Sequence, residues 1–234
     1  MPLYQRLADS IKNAIIKQQW RPGDRLPGEK ELAASYNVAI GTLRQAISQL
    51  IDEKLLERRH GSGTYVRRPT FDKSLFRFFR FETKDGVRQI PESRILRREV
   101  LPAPSEISNA LGLEPEALVI SMTRLRLFDN NPVLIEDIWL DHSRFEGFLD
   151  MDEADIGPLL YPIYDTHFGQ FVCRAKESLT VETVDASYAN MLRIEPRSPV
   201  IVIERKAYGF DGKPIEWRRS RGLVDHFSYN IEIH

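Results

Sequence analysis

The stretch NALGLEPEALVI at residues 109–120 returns with substitutions as NMLRIEPRSPVI at 190–201, and FDNNPV at 128–133 returns as FDGKPI at 210–215. The offset is 81 positions for the first pair and 82 for the second, so one residue has been inserted between two motifs that keep their order. Each copy reads as a helix end, a turn at Glu-Pro, an apolar strand and a hairpin through Asn-Asn or Asp-Gly. Two copies are too few for a stacked array. They predict two similar halves sharing one mainly antiparallel sheet, with helices elsewhere on it and a cleft between the halves where a small ligand can sit.

The first hairpin supplies candidate ligands for that cleft. In TRLRLFD, Arg124 and Arg126 are two apart and share one face of a strand, leaving the other face to Leu125 and Leu127. Across the turn, Glu136 falls roughly opposite Arg124. Two guanidiniums around one carboxylate suit an anionic or polyhydroxylated molecule, because each fork can bind carboxylate or phosphate through two hydrogen bonds. The plainer alternative is a cross-strand salt bridge on a wet sheet face.

Residues 1–68 have a different character. They carry 12 Lys+Arg against 7 Asp+Glu, whereas the other 166 residues carry 21 against 27. A basic head on an acidic body points to a polyanion met by the head alone. Leu3, Leu7, Ile11 and Ile15 predict an amphipathic helix ending near Gln18. A short helix follows over Glu29 to Tyr36, then another from about Ile40 to Glu53. The latter buries Leu43, Ala46, Ile47, Leu50 and Ile51 and shows Thr42, Arg44, Gln45 and Gln49 on its opposite face. LLERR and TYVRR read as strands around the hairpin turn HGSG. Three helices and a hairpin make a winged helix-turn-helix, whose small wing tip approaches a sugar-phosphate backbone with Arg58, Arg59 and His60 nearby.

The order LYQRLADSIKNAI, RPGDRLPGEKELAASYNV, TLRQAISQLIDEKLLERRHGSGTYV resembles the GntR family of bacterial winged-helix transcription regulators over nearly all of residues 3–66. The resemblance implies Lys30 on a phosphate, Thr42, Arg44 and Gln45 on the reading helix, and Gly61, Ser62 and Gly63 in the wing. Many members have Ser or Thr followed by Arg where this chain has Ala39-Ile40, and Ser in place of Gly28. The missing arginine shifts base reading onto Arg44 or implies a different half-site. Residues from about 90 to 234 resemble the UTRA effector-binding domain of one large, HutC-like, GntR subfamily, through Arg124, Arg126, Pro132 and Glu136 and through GKPIE with Glu216. That resemblance implies effector contacts at these positions, with Arg218 and Arg221 standing in for a terminal motif that this chain lacks.

The expected fold class is therefore α+β: a winged helix-turn-helix at 1–68, a linker at 69–89, and at 90–234 a mainly antiparallel sheet domain similar to chorismate lyase. The linker's FRFFRF, residues 76–81, either stacks on single-stranded nucleic acid or packs its phenylalanines between the domains. An enzyme is the rival reading, but the five histidines show no metal spacing, and no P-loop, dinucleotide fingerprint or nucleophile elbow occurs. No catalytic residue, metal or cofactor is expected. A DNA-binding protein that senses nothing would have no use for a duplicated acidic body. The single cysteine, Cys173, excludes an internal disulfide, and neither a signal-like start nor a membrane-length apolar run is present, so a cytoplasmic protein is expected. Its expected partners are a palindromic double-stranded DNA operator, a small-molecule effector and a second copy of the chain as a homodimer.

Overall fold

The computed structural model describes residues 1–68 and 89–227. The FRFFRF stretch, nearly all of the expected linker and the last seven residues of the expected body lie outside the described residues. The chain divides into two compact units, one made of the basic head with the short turn Gly209–Lys213 and one made of the rest of the body.

In the head, α1 (Leu3–Ile16), α2 (Glu29–Ser35) and α3 (Ile40–Asp52) precede an antiparallel hairpin of β1 (Leu56–Arg59) and β2 (Gly63–Val66). Its core gathers Leu7, Ile11 and Ile15 of α1, Leu32 of α2, Leu43, Ile47 and Leu50 of α3, and Leu56 and Val66 of the wing. Two expectations fail at the edges of this pattern. Leu3 lies in the first turn of α1 and is 55% exposed, and Ile51 is only half-buried. Helix α1 also stops before Gln18, which takes a left-handed φ of 57°.

The wing is tied to the loop before α2 by a bridge between Arg25 and Tyr65 and by the Leu26 N–H donating to the Thr64 carbonyl at 2.8 Å. Gly63, with φ of 125°, is required there: a Cβ would stand 2.9 Å from Nε of Arg25. Neither Gly28 nor Ala39 offers a side-chain cap to the helix it precedes. Ala39 already has the extended geometry of an N-cap, with φ of −66° and ψ of 143°. Ala39→Ser is therefore expected to stabilise the head by about 0.5–1 kcal/mol, seen as a higher denaturant midpoint at unchanged slope.

The second unit is one six-stranded sheet in the order β3-β4-β5-β8-β7-β6, antiparallel throughout. The first half is β3 (Glu92–Pro102), α4 (Ser105–Leu111), β4 (Leu118–Phe128) and β5 (Asn131–Asp141). The second is β6 (Arg174–Thr183), α7 (Ala186–Leu192), β7 (Pro199–Tyr208) and β8 (Pro214–Leu223). The halves meet at β5 and β8. The β4–β5 turn centres on Asp129 and Asn130, both left-handed, one residue earlier than the Asn-Asn expected.

Helices α4 and α7 cover one face of the sheet, α4 packing on β8 and α7 on β5, so each half's helix lies on the other half's strand. The opposite face is covered by the connection between the halves, which holds α5 (Glu153–Ile156) and α6 (Leu160–Phe168). There Phe145, Phe148, Leu160 and Tyr164 close over Ile120, Met122, Ile138 and Leu140.

Candidate functional site

In the head, Thr42, Arg44 and Gln45 stand on the outer side of α3, opposite the buried Leu43, Ala46 and Ile47. Lys30 is exposed on α2, and Arg58, Arg59, His60, Gly61, Ser62 and Gly63 are exposed along the wing. Glu29, which the sequence did not single out, joins two of these elements: it accepts from Arg44 Nε at 2.7 Å and from Arg58 Nη2 at 3.3 Å. The Arg59 guanidinium stacks 4.1 Å over the Tyr65 ring, whose hydroxyl is 2.6 Å from Ser62 Oγ. The basic side chains of the wing are thus held ready rather than loose.

On the α5–α6 face of the sheet, strand alternation brings Arg124 and Arg126 of β4, Glu136 of β5 and Glu216 and Arg218 of β8 into one buried cluster. Arg124 pairs in register with Glu136 and donates Nε to its Oε2 at 2.6 Å. Arg218 donates Nη1 to the other oxygen of Glu136 at 3.1 Å and Nη2 to Glu216 Oε2 at 2.7 Å. Arg126 reaches Glu136 only at 3.9 Å and gives its Nη atoms to the carbonyls of Pro158 and Pro91, at 2.6 and 2.9 Å. From α6, the Tyr161 and Tyr164 hydroxyls donate to Glu216 at 3.0 and 2.7 Å. Arg205 of β7, paired with Glu177 of β6, also reaches the Tyr161 hydroxyl.

Arg124, Arg126 and Glu136 are 1–2% exposed, so the wet-face salt bridge is excluded. Burial alone would raise Glu136, but Arg124, Arg218 and Arg126 outweigh it and hold its carboxyl well below the usual range. Burial also works against the charge on Arg218, yet Glu216 and Glu136 more than restore it. Arg126 is the exception. Burial, with Arg124 adding repulsion, pushes it down to about 9 against the pull of Glu136. Burial and the neighbouring Glu216 push the Tyr161 hydroxyl up to about 12 and Tyr164 upward as well. Three guanidiniums thus face two carboxylates in a buried cluster, and the Nε atoms of Arg126 and Arg218 have no acceptor among the described residues.

The carbonyls that hold Arg126 belong to the wall of an open cleft of about 390 Å³, lined by Ile90–Ser93, Ile95, Glu153, Ala154, Gly157 and Pro158. Arg124, Arg126, Glu136, Glu216 and Arg218 are together, whereas Arg221 points to the opposite face, where it pairs with Asp137 and Glu182, and Pro132 stands opposite Leu127 at the hairpin end. Tyr161, Tyr164, Arg205 and Glu177 had escaped notice. The two tyrosines lie in the connection outside the repeat, and Arg205 could have been found as the counterpart of Arg124 one repeat later.

Among the described residues, no group of His, Cys, Asp and Glu could hold a metal ion and no helix is long and apolar enough to cross a membrane. The UTRA domain model matches residues 88–228, and the model of bacterial regulatory proteins of the gntR family matches residues 3–66. The chain is 26% identical to the mannosyl-D-glycerate transport/metabolism system repressor MngR of Escherichia coli, over 98% of this chain and 95% of that one. It is 27% identical to the transcriptional repressor NagR of Bacillus subtilis, over 98% and 93%. The ligand-binding domain of a GntR-family regulator from Bordetella bronchiseptica superposes with a TM-score of 0.57 at 30% identity, covering 68% of this chain and 98% of that one. With both models matched in order and full-length relatives alike across both units, the chain belongs to the GntR family of bacterial transcription regulators, with a UTRA domain behind its DNA-binding head.

Proposed function

We propose that this regulator is a repressor that binds a palindromic operator as a homodimer and changes its grip when a small anionic metabolite enters the arginine cluster. The observation that carries the effector reading is the charge balance of that cluster: three buried guanidiniums, two carboxylates, and two Nε donors without an acceptor among the described residues. A carboxylate or phosphate would complete the balance and take the place of the Pro158 and Pro91 carbonyls on Arg126. Pro91 immediately precedes β3, so drawing its carbonyl aside would move the start of that strand. A coupling of about 1–3 kcal/mol is the ordinary scale for such an effect.

Arg124, Arg126, Glu136, Glu216 and Arg218 would hold the effector. Binding suits them better than catalysis, because a carboxylate held as low as Glu136 and phenols held as high as Tyr161 and Tyr164 are poor proton carriers near neutral pH. In the head, Lys30, Arg58, Arg59 and His60 would sit on phosphates, Thr42, Arg44 and Gln45 on base edges, and Gly61, Ser62 and Gly63 against the backbone. Two heads would multiply the discrimination of one half-site. Among the described residues β6 has no strand on its outer side and exposes Leu179 and Val181, an edge suited to a second copy. Two of the relatives are named as repressors, which supports that sense of regulation.

A thermal-shift screen of sugar phosphates, amino acids and small carboxylates tests the effector site. A true effector is expected to raise the midpoint of the wild type, to change operator affinity roughly 5–150-fold, and to do neither in Arg126→Gln. If no compound shifts the wild type, or the variant responds as well, the cluster is a structural ion network only.

A further inference from the structure

The first turn of α3 is built against its own stability. Ala39 gives no side-chain cap to the helix it precedes. Gly41 is the second residue of that helix, and among the common residues only proline suits a helix less. Its backbone is not left-handed, and among the described residues nothing lies within 4 Å of where a Cβ would stand. Neither strain nor internal packing therefore asks for a glycine there. Ile40, the first helical residue, is 37% exposed, whereas the exposed side chains further along are Arg44, Gln45, Ser48 and Asp52, all polar. A bare apolar turn thus opens a helix that is otherwise polar on its outer side.

We infer that Ile40 reads the 5-methyl group of a thymine in the major groove, with Gly41 as the place where the helix comes closest to the DNA. The inference rests on the proposed role of α3 as the base-contacting helix. The N-terminal residues of such a helix are the ones that reach base edges. Isoleucine has no hydrogen bond to offer there, and the apolar feature that a base pair shows in the major groove is the thymine methyl. The space left beside Gly41 is not filled by the head itself, so it serves the approach of something outside the protein.

Arg44 lies four positions after Ile40, on the same side of the helix and roughly 5–6 Å away. Among the described residues it gives only its Nε to Glu29, at 2.7 Å, so both Nη groups stay available for O6 and N7 of a guanine. Two readers roughly 5–6 Å apart address base pairs one or two steps of about 3.4 Å apart. The half-site therefore carries a thymine beside, or one step from, the guanine that Arg44 reads. The two contacts differ in kind: Arg44 recognises acceptors and is sensitive to salt, while Ile40 recognises a methyl and is not.

Duplexes selected in vitro from a random pool by the full-length protein supply the probe. Each thymine in turn is replaced by deoxyuridine, which removes the methyl and keeps every hydrogen-bonding group. At one thymine the wild type is expected to lose about three- to fivefold in affinity per half-site, and there Ile40→Ala should bind both duplexes equally. Gly41→Ala should raise the denaturant midpoint and yet weaken the selected duplex roughly tenfold or more, a pairing that a purely structural glycine does not give. The inference is overturned if no thymine is sensitive to loss of its methyl, if Ile40→Ala keeps the wild-type discrimination, or if Gly41→Ala binds as tightly as the wild type. Arg44→Ala separates it from the reading beneath it. If that variant relaxes the selected sequence while deoxyuridine has no effect, the methyl contact alone fails. If it keeps the full preference for the selected duplex over random DNA, the role of α3 is overturned, and this inference with it.

Discussion

Glu136→Ala is expected to cost the body about 3–5 kcal/mol of stability, a large share of what a domain has to lose. Both oxygens of Glu136 are engaged, by Arg124 on one side and by Arg218 on the other, at a position 2% exposed. Removing it leaves three buried guanidiniums facing Glu216 alone. The loss comes from stranding those charges, not from the intrinsic value of a salt bridge, and Glu136→Gln keeps the shape while isolating the charge. The dependence on pH follows from the same group. Its folded value is depressed, so its contribution is complete above the unfolded carboxylate value of roughly 4.3 and is lost as pH falls below that toward the folded value. Urea melts of wild type and Glu136→Gln from pH 7 down to 3 should converge as the wild type loses this contribution. Parallel curves, or a loss under about 1 kcal/mol at pH 7, would mean that the arginines are satisfied without Glu136.

Operator binding should fall by about three orders of magnitude between 50 and 200 mM salt. Lys30, Arg58 and Arg59 are exposed on the head, and two heads would place six such cations on phosphates. Six contacts give a slope of log affinity against log salt near −5, so a fourfold rise in salt removes roughly a thousandfold in affinity. Fluorescence anisotropy with a labelled operator measures the slope. Lys30→Ala should flatten it by about two, one contact per head, while weakening operator and random DNA alike. A wild-type slope shallower than about −2 would show that a single head, or a wing held off the backbone, carries the binding.

The repeat made the body's architecture legible, because a helix–strand–hairpin unit written twice can bury its apolar faces only by sharing a sheet. The winged head was legible for a different reason: its apolar spacing and its glycine turn each admit few alternatives. Burial of the arginines was not legible. Alternation places Arg124 and Arg126 on one face but cannot say whether that face is wet, and the cover comes from α5 and α6, which the repeat does not contain. For the same reason Tyr161 and Tyr164 went unnoticed, since an aromatic pair three apart on a helix reads as ordinary core. Glu29 was hidden by distance, lying 15 positions from Arg44 and 29 from Arg58. Leu3 shows the opposite error, in which a correct periodicity was extended one turn past the core.

Glu136 and Arg218 are 82 positions apart, the offset of the second repeated motif, so they occupy equivalent places in the two halves. An ancestor assembled from two identical halves would have set that residue against its own copy: two carboxylates, or two guanidiniums, 3 Å apart and out of water. Either arrangement would have been hard to keep charged and dry. Two copies carried on one chain can hold opposite signs at these positions, as two identical halves cannot, and opposite signs let the centre close over a charged cluster. The asymmetry at the middle of the sheet gives a duplicated scaffold a direction that its backbone alone lacks.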